Sequence, residues 1–361
     1  MESILFYVNS LCRGGAERVF SALANMFAKD KYRVVFVTSF TDEEWEYPLR
    51  DEIKRYSMED RKTKLSFLKR NISRTNALRS IIKAEKPDLL LSTSPEANFR
   101  SIIASAGTNT KTVITIISDP NKEYSSFLYR LLARKLYCLA DGVVFQTREE
   151  MAWFPRRIQE KAVLLFNQVD ERFFMQYATA DRRNIVSVGR LIPMKRHEDI
   201  IRAFKQICDK VTDNLVIYGD GPCRDSLEKL VHDLKLEGRV FLPGRVDDVA
   251  AKTYDAKLFV LASEYEGLPN ALMEAMALGT PCLSTDCSGG GANELLLYGE
   301  YGIIVPVHDV DAIAEQMMKV LSDKNLVEEL STKARARAEN FRSERIFRQW
   351  AEYLAGISQG A

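Results

Sequence analysis

Short runs of apolar, β-favouring residues recur from one end of this chain to the other. They fall at residues 4–8, 32–38, 88–92, 112–117, 142–145 and 162–166, and again at 185–188, 215–218, 240–242, 258–261, 281–284 and 303–305. The runs are near-continuous rather than alternating. A run that is apolar at every position suits a strand covered on both faces, as in a parallel sheet. Between them lie stretches with apolar residues three and four apart, at 17–29, 74–85, 197–210, 225–235, 270–278 and 310–321. Strand and helix patterns alternating in this way predict a doubly wound α/β architecture. The polar, aperiodic segment 171–183 separates two sets of six runs. Two Rossmann-like domains are therefore expected, at 1–175 and 176–340, with 341–361 forming a helix that packs back toward the first.

Composition narrows the class. The chain has 361 residues, enough for two ordinary domains, and is 46% hydrophobic, which excludes disorder. Lys and Arg number 51 against 50 Asp and Glu, a net charge of +1. A general nucleic-acid binder is far more basic, and no RNA-binding motif occurs, so nucleic acid is not an expected partner. Residues 1–180 hold 28 basic against 22 acidic side chains, so the remainder carries the balancing negative charge. Six cysteines, at 12, 138, 208, 223, 282 and 287, include no CxxC pair. Free thiols in a reducing cytoplasm are the expectation. No apolar run approaches the ~18 residues that span a bilayer, and the first residues lack the basic start of a signal peptide.

In doubly wound sheets ligands bind where strands run out into helices. The first such loop reads Asn9-Ser10-Leu11-Cys12-Arg13-Gly14-Gly15-Ala16-Glu17. Glycines just before a helix let a phosphate reach free N–H groups, though a plain strand–helix turn has the same look. The loop is neither GxGxxG nor a Walker A sequence, which disfavours NAD and P-loop chemistry. The first strand of the second half runs into Gly189-Arg190-Leu191-Ile192-Pro193-Met194-Lys195. Two cations five residues apart before a helix can clamp a diphosphate, or can be two solvated charges. Gly219-Asp220-Gly221-Pro222 reads as a turn that starts a helix, with Gly219 at the same sheet end.

The densest cluster runs from Ser263 to Asp286. Glu266 closes a loop after a strand, and Glu274 lies eight residues on, in the following helix. A carboxylate accepts two hydrogen bonds from a vicinal diol, so paired acids beside a phosphate clamp suit a sugar. Glu266 could instead serve its helix N-terminus. Glu274 lies mid-helix among Leu272, Met273 and Met276, where a carboxylate needs a partner.

In this order and spacing, Gly14-Gly15-Ala16-Glu17, Gly189-Arg190-Leu191 with Lys195, Gly219-Asp220-Gly221-Pro222, and Glu266 with Glu274 resemble retaining glycosyltransferase family 4, which has the GT-B fold. The likeness covers essentially the whole chain, and its second half is the more specific. The narrower likeness is to bacterial enzymes that build lipid-linked surface glycans such as O-antigen, capsule or N-glycan precursors. It implies a nucleotide sugar, with UDP as the carrier, held mainly by the second domain. Arg190 and Lys195 would hold the diphosphate and stabilise the leaving group, and Glu274 would bind the ribose. Glu266 would contact the donor sugar beside the backbone of Gly267, Leu268 and Pro269. Gly189 and Gly219 would line the site, Gly15 would approach the donor phosphate, and Gly244-Arg245-Val246 would lie near the base. The resemblance implies no metal and no cofactor, and no Asp-x-Asp or His/Cys cluster contradicts it.

One departure concerns the acceptor side. Relatives carry a histidine after the fourth strand. Here the only histidines are 197, 232 and 308, and the corresponding loop reads Ile117-Ser118-Asp119-Pro120-Asn121-Lys122. Asp119 is the candidate substitute; it is equally a turn residue before proline. The first domain would take the acceptor, a glycan on a polyprenyl diphosphate. Residues 61–83 hold Arg61, Lys62, Lys64, Lys69, Arg70, Arg74, Arg79 and Lys83 with no acid, interleaved with Leu65, Phe67, Leu68, Ile72, Leu78 and Ile81. Phe127, Tyr129, Arg130, Arg134, Lys135 and Tyr137, then Trp153, Phe154, Arg156 and Arg157, continue the pattern. Such residues dock on an anionic bilayer or form ordinary solvated helix faces. The expected location is the cytoplasm, peripheral to the inner face of the membrane. Two other readings remain: a GT-B UDP-sugar epimerase, disfavoured by the scarcity of histidine, and a non-catalytic nucleotide-sugar-binding subunit.

Overall fold

The computed structural model describes residues 1–12, 14–40, 46–58, 66–175 and 182–360. Arg13, Arg61, Lys62, Lys64, Leu65 and residues 176–181 of the expected linker lie outside them, as do the side chains of Phe67 and Leu68. The chain divides into two units, residues 1–167 with 344–361, and residues 168–343. The division falls earlier than residue 175, and the helix Ser343–Gln359 belongs almost wholly to the first unit.

The first unit contains β1 (Ser3–Val8), β2 (Arg33–Thr38), β3 (Lys54–Ser57), β4 (Leu89–Thr93), β5 (Lys111–Ile116), β6 (Gly142–Phe145) and β7 (Ala162–Leu164). They form one parallel sheet in the order β3-β2-β1-β4-β5-β6-β7. Successive residues of β1 serve opposite layers. Ile4, Phe6 and Val8 join Val34, Phe36, Leu89 and Leu91 under Phe20, Leu23 and Phe27 of the helix Gly15–Lys29. Leu5 and Tyr7 join Val35, Val37 and Leu90 on the other face, against Leu78 and Ile82 of the helix Phe67–Glu85. With both faces covered, a polar residue is costly at every position, and the strands read as unbroken apolar runs.

Six strands are expected in this half, and seven are found among the described residues. The extra strand, β3, reads Lys-Arg-Tyr-Ser and lies at the sheet edge, exposed except for the half-buried Tyr56. An edge strand needs no apolar run, and its lysine guards the open edge against further pairing. The C-terminal helix completes the core by adding Ile346, Trp350 and Leu354 to the layer over β1. Tyr353 anchors it through a hydrogen bond from Val143 N to Oη at 3.0 Å.

The second unit contains β8 (Arg183–Val188), β9 (Leu215–Tyr218), β10 (Val240–Gly244), β11 (Ala256–Leu261), β12 (Cys282–Thr285) and β13 (Ile303–Val305). All pair parallel, in the order β10-β9-β8-β11-β12-β13. Ile185, Leu215, Ile217, Leu258, Val260 and Leu283 meet Ile200, Ile201 and Phe204 of the helix His197–Ile207 and Ile313 and Met317 of the helix Val310–Ser322. Strand order reverses at β1/β4 in one sheet and at β8/β11 in the other. At such points the connections leave in opposite directions and open a crevice at the carboxyl ends of the strands.

Candidate active site

In the second unit the connections after β8 and β11 come together. Backbone hydrogen bonds lock β8's exit to β9's: Gly189 N donates to Tyr218 O at 3.0 Å and Leu191 N to Asp220 O at 2.9 Å. Gly219 has φ +145°, and a Cβ there would stand 1.8 Å from Gly189 O, so only glycine allows this approach. Leu191 is fully buried and fastens the loop to the core. The loop ends in the 3₁₀ turn Pro193–Lys195. Arg196 follows in a left-handed conformation (φ 50°) and bonds both oxygens of Asp199 at 2.9 Å.

This turn presents Lys195 to the next connection. Lys195 Nζ forms an ion pair with Glu266 Oε1. The same oxygen accepts a hydrogen bond from Ser263 Oγ at 2.7 Å. Glu264 N donates to Met194 O at 2.8 Å, and Glu266 N to Ser288 O at 2.9 Å, so backbone fixes the loop from both sides. The Lys195 and Glu266 side chains retain 16% and 11% of their exposure, enough for a ligand to reach them. Arg190 is exposed, and among the described residues its guanidinium makes no ion pair or hydrogen bond. The clamp expected from sequence is thus one open cation and one already neutralised by a carboxylate.

The remaining residues of the second unit take varied positions. Gly267, Leu268 and Pro269 are buried, and Pro269 caps the helix Asn270–Ala277. A Cβ on Gly291 would lie 1.5 Å from Gly267 O, a second contact that only glycine permits. Glu274 is 8% exposed within the buried run from Leu272 to Ala277. Gly244 accepts from Gly219 N at 2.9 Å, which places Arg245 (exposed) and Val246 (half-buried) just beyond the same sheet end.

Three neighbours were not singled out as site residues from the sequence. His197 is buried under Gly189, whose Cβ position lies 3.8 Å from Nε2. Burial, with the Lys195 charge as a second cause, lowers its pKa to about 4, so the ring is neutral and adds no charge to the clamp. Burial first, then Glu266, pushes the Cys287 thiol up to about 12. The signal for His197 was its place two residues after Lys195. Ser263 carried no signal, because a serine after a strand is unremarkable until its hydroxyl is seen on Glu266.

The other two candidates belong to the first unit. Gly15 is exposed and opens the helix Gly15–Lys29, with the Glu17 carboxylate folded against Gly14. Asp119 is buried, and its Oδ1 accepts from Asn121 N at 2.9 Å as the cap of the short helix Pro120–Glu123. Further along, the helix Phe127–Leu136 turns Phe127, Leu128 and Leu131 outward, Phe127 at 80% exposure, and Leu139 follows. Arg134 stacks on Trp153 with 4.6 Å from Cζ to the ring centre. On the helix Phe67–Glu85, Arg79 caps the carbonyls of Ala104 and Ala106 at 3.1 and 2.9 Å, whereas Lys69 and Lys83 are solvated.

Among the described residues, no three His, Cys, Asp or Glu side chains are grouped to hold a metal ion. No helix among them is long and apolar enough to cross a membrane.

The Lys195–Glu266 ion pair thus lies where the strand order of the second sheet reverses. Residues 169–337 match the family model for glycosyl transferases group 1, and residues 13–173 match that for Glycosyltransferase Family 4. The chain belongs to glycosyltransferase family 4, of GT-B fold. Among similar proteins, an α-1,4-N-acetyl-D-galactosaminyltransferase of Campylobacter jejuni is 29% identical over 99% of both chains. Its name gives its acceptor as a GalNAc-containing glycan on diphospho-undecaprenol. An uncharacterized glycosyltransferase of Methanocaldococcus jannaschii is 27% identical over 79% of this chain and 83% of its own. The sucrose-phosphate synthase of Thermosynechococcus elongatus shares the fold over all of both chains, with a TM-score of 0.85 at 19% identity. Anabaena HepE, solved with UDP, shares it over 98% of this chain and 100% of its own, with a TM-score of 0.82 at 20% identity.

Proposed function

We propose that this glycosyltransferase moves a hexose or N-acetylhexosamine from a UDP-sugar, with retention at the anomeric carbon, to a glycan carried on a polyprenyl diphosphate. It needs neither metal nor cofactor and works at the cytoplasmic face of a membrane, in surface-glycan assembly. The observation that carries the reading is Lys195 held by Glu266 at the β8/β11 switch, with the exposed Arg190 on the same loop as the lysine. An incoming diphosphate takes Lys195 from Glu266 and adds Arg190. Charge grows on the departing oxygen as the sugar–oxygen bond breaks, and fixed cations there lower the barrier. Glu266, released, accepts hydrogen bonds from the sugar, and Glu274 serves the ribose. The acceptor oxygen takes the place of the leaving oxygen, and its proton passes to the departing diphosphate. The family resemblance would assign Asp119 to the acceptor and Gly15 to the donor phosphate. The choice of UDP and of a lipid-linked acceptor draws on HepE and on the Campylobacter enzyme.

The test is nucleotide release from a panel of UDP-, GDP- and ADP-sugars, with and without lipid extract of the source membrane. Lipid-dependent release of UDP from one sugar is expected. Lys195→Ala should lower that rate by about 10²–10³, the usual loss for one transition-state donor. Interconversion of the sugar without transfer would point instead to an epimerase, and an unaffected Lys195→Ala would remove the clamp.

A further inference from the structure

We propose that Ser263 is a positioning residue for Glu266, holding its carboxylate at the site once a diphosphate has taken Lys195 away. The inference rests on the donor reading above. Glu266 Oε1 has two donors, Lys195 Nζ and Ser263 Oγ, the latter at 2.7 Å. They differ in what happens to them when ligand arrives. Lys195 ends a flexible four-carbon stem and follows the anion. Ser263 is fully buried, one bond from the backbone. That backbone is fixed in turn, since Thr285 Oγ1 donates to Ser263 O at 2.7 Å. The serine cannot follow the ligand, so Oε1 stays fixed.

A carboxylate losing one donor of two would otherwise swing toward the diphosphate's cations or out to water. Anchored through Oε1, it keeps Oε2 directed at the ligand. A carboxylate held by one short neutral donor remains a strong acceptor for a sugar hydroxyl. The ion pair therefore marks the resting position of Glu266, and the serine preserves it through the exchange.

The test is a double-mutant cycle on the full chain, with UDP as the binding probe and UDP release from the accepted sugar as the rate. Ser263→Ala should lower kcat by roughly 10–100-fold, the scale of one hydrogen bond to a charged group. It should leave the Kd for UDP within about twofold, because UDP carries no sugar for Glu266 to hold. In a Glu266→Ala background, which leaves no acceptor for the serine, the same change should cost less than about twofold. Equal losses in both backgrounds would show a merely structural serine and overturn the inference, as would a Ser263→Ala enzyme with wild-type kcat. Should that variant not fold, Ser263→Cys keeps the shape with a weak donor and is expected to show the same pattern. A wild type that neither binds UDP nor releases it from any sugar overturns the donor reading itself, and this inference with it.

Discussion

At the scale of single residues the site is a problem of charge in a half-dry place. Lys195 without a counter-ion would hold an unbalanced cation in a loop that is mostly covered, and Glu266 supplies the balance. His197 sits next to that cation and pays for burial by staying neutral. Its folded pKa of about 4 lies below the unfolded value near 6.5, so between these the unfolded state binds the extra proton. The stability this contributes is fully present above pH 6.5 and is lost as the pH falls to about 4. The loss amounts to about 3 kcal/mol. Urea melts from pH 7 down to 4 should show a steeper decline for wild type than for His197→Gln. Parallel declines would mean that the imidazole is not desolvated. The sequence offered this histidine only as one of three, and its neutrality is a consequence of packing under Gly189.

At the scale of elements, loops are positioned by what backbones can do at the ends of parallel strands. The exits of β8 and β9 touch at Gly219 and Gly189, and the exits of β11 and β12 touch through Glu264, Glu266 and Ser288. Gly219→Ala would place a methyl group 1.8 Å from Gly189 O in a backbone region that side chains avoid. A cost of roughly 2–4 kcal/mol to the second unit is expected, from overpacking and φ strain together. A urea midpoint unchanged in that variant would mean that the two connections can part freely. The strands themselves were legible because a two-sided parallel sheet writes an apolar residue at every position. β3 was not, because an edge strand in Lys-Arg-Tyr-Ser is held by backbone pairing to β2 and leaves no trace in hydropathy.

At the scale of the molecule, the first unit combines net positive charge with outward apolar side chains. Phe127, Leu128, Leu131 and Leu139 are exposed, with Arg130, Arg134 and Lys135 on the same short helix. The Arg134 guanidinium lies over the Trp153 ring, 4.6 Å from its centre, and remains exposed. Docking on an anionic bilayer would use apolar insertion and charge together. The protein is expected to float with vesicles rich in phosphatidylglycerol and not with phosphatidylcholine alone. Phe127→Ser with Leu128→Ser should abolish flotation while leaving UDP binding intact. Flotation unchanged in the double variant would assign the attraction to another face.

What the sequence determined by itself follows from rules that act locally. Apolar runs, helical spacing and strand-end glycines dictated two parallel sheets and the turns from strand to helix. The order of Gly189, Arg190, Lys195, Glu266 and Glu274 marked the family. Tertiary structure alone decided which charges meet. Lys195 and Glu266 are 71 residues apart. Their contact exists because β8 and β11 are neighbours in the sheet. Ser263 on Glu266, His197 under Gly189, and the C-terminal helix laid over β1 arise the same way. Each depends on a contact whose free energy appears only once distant segments are packed, and no local pattern of residues encodes it.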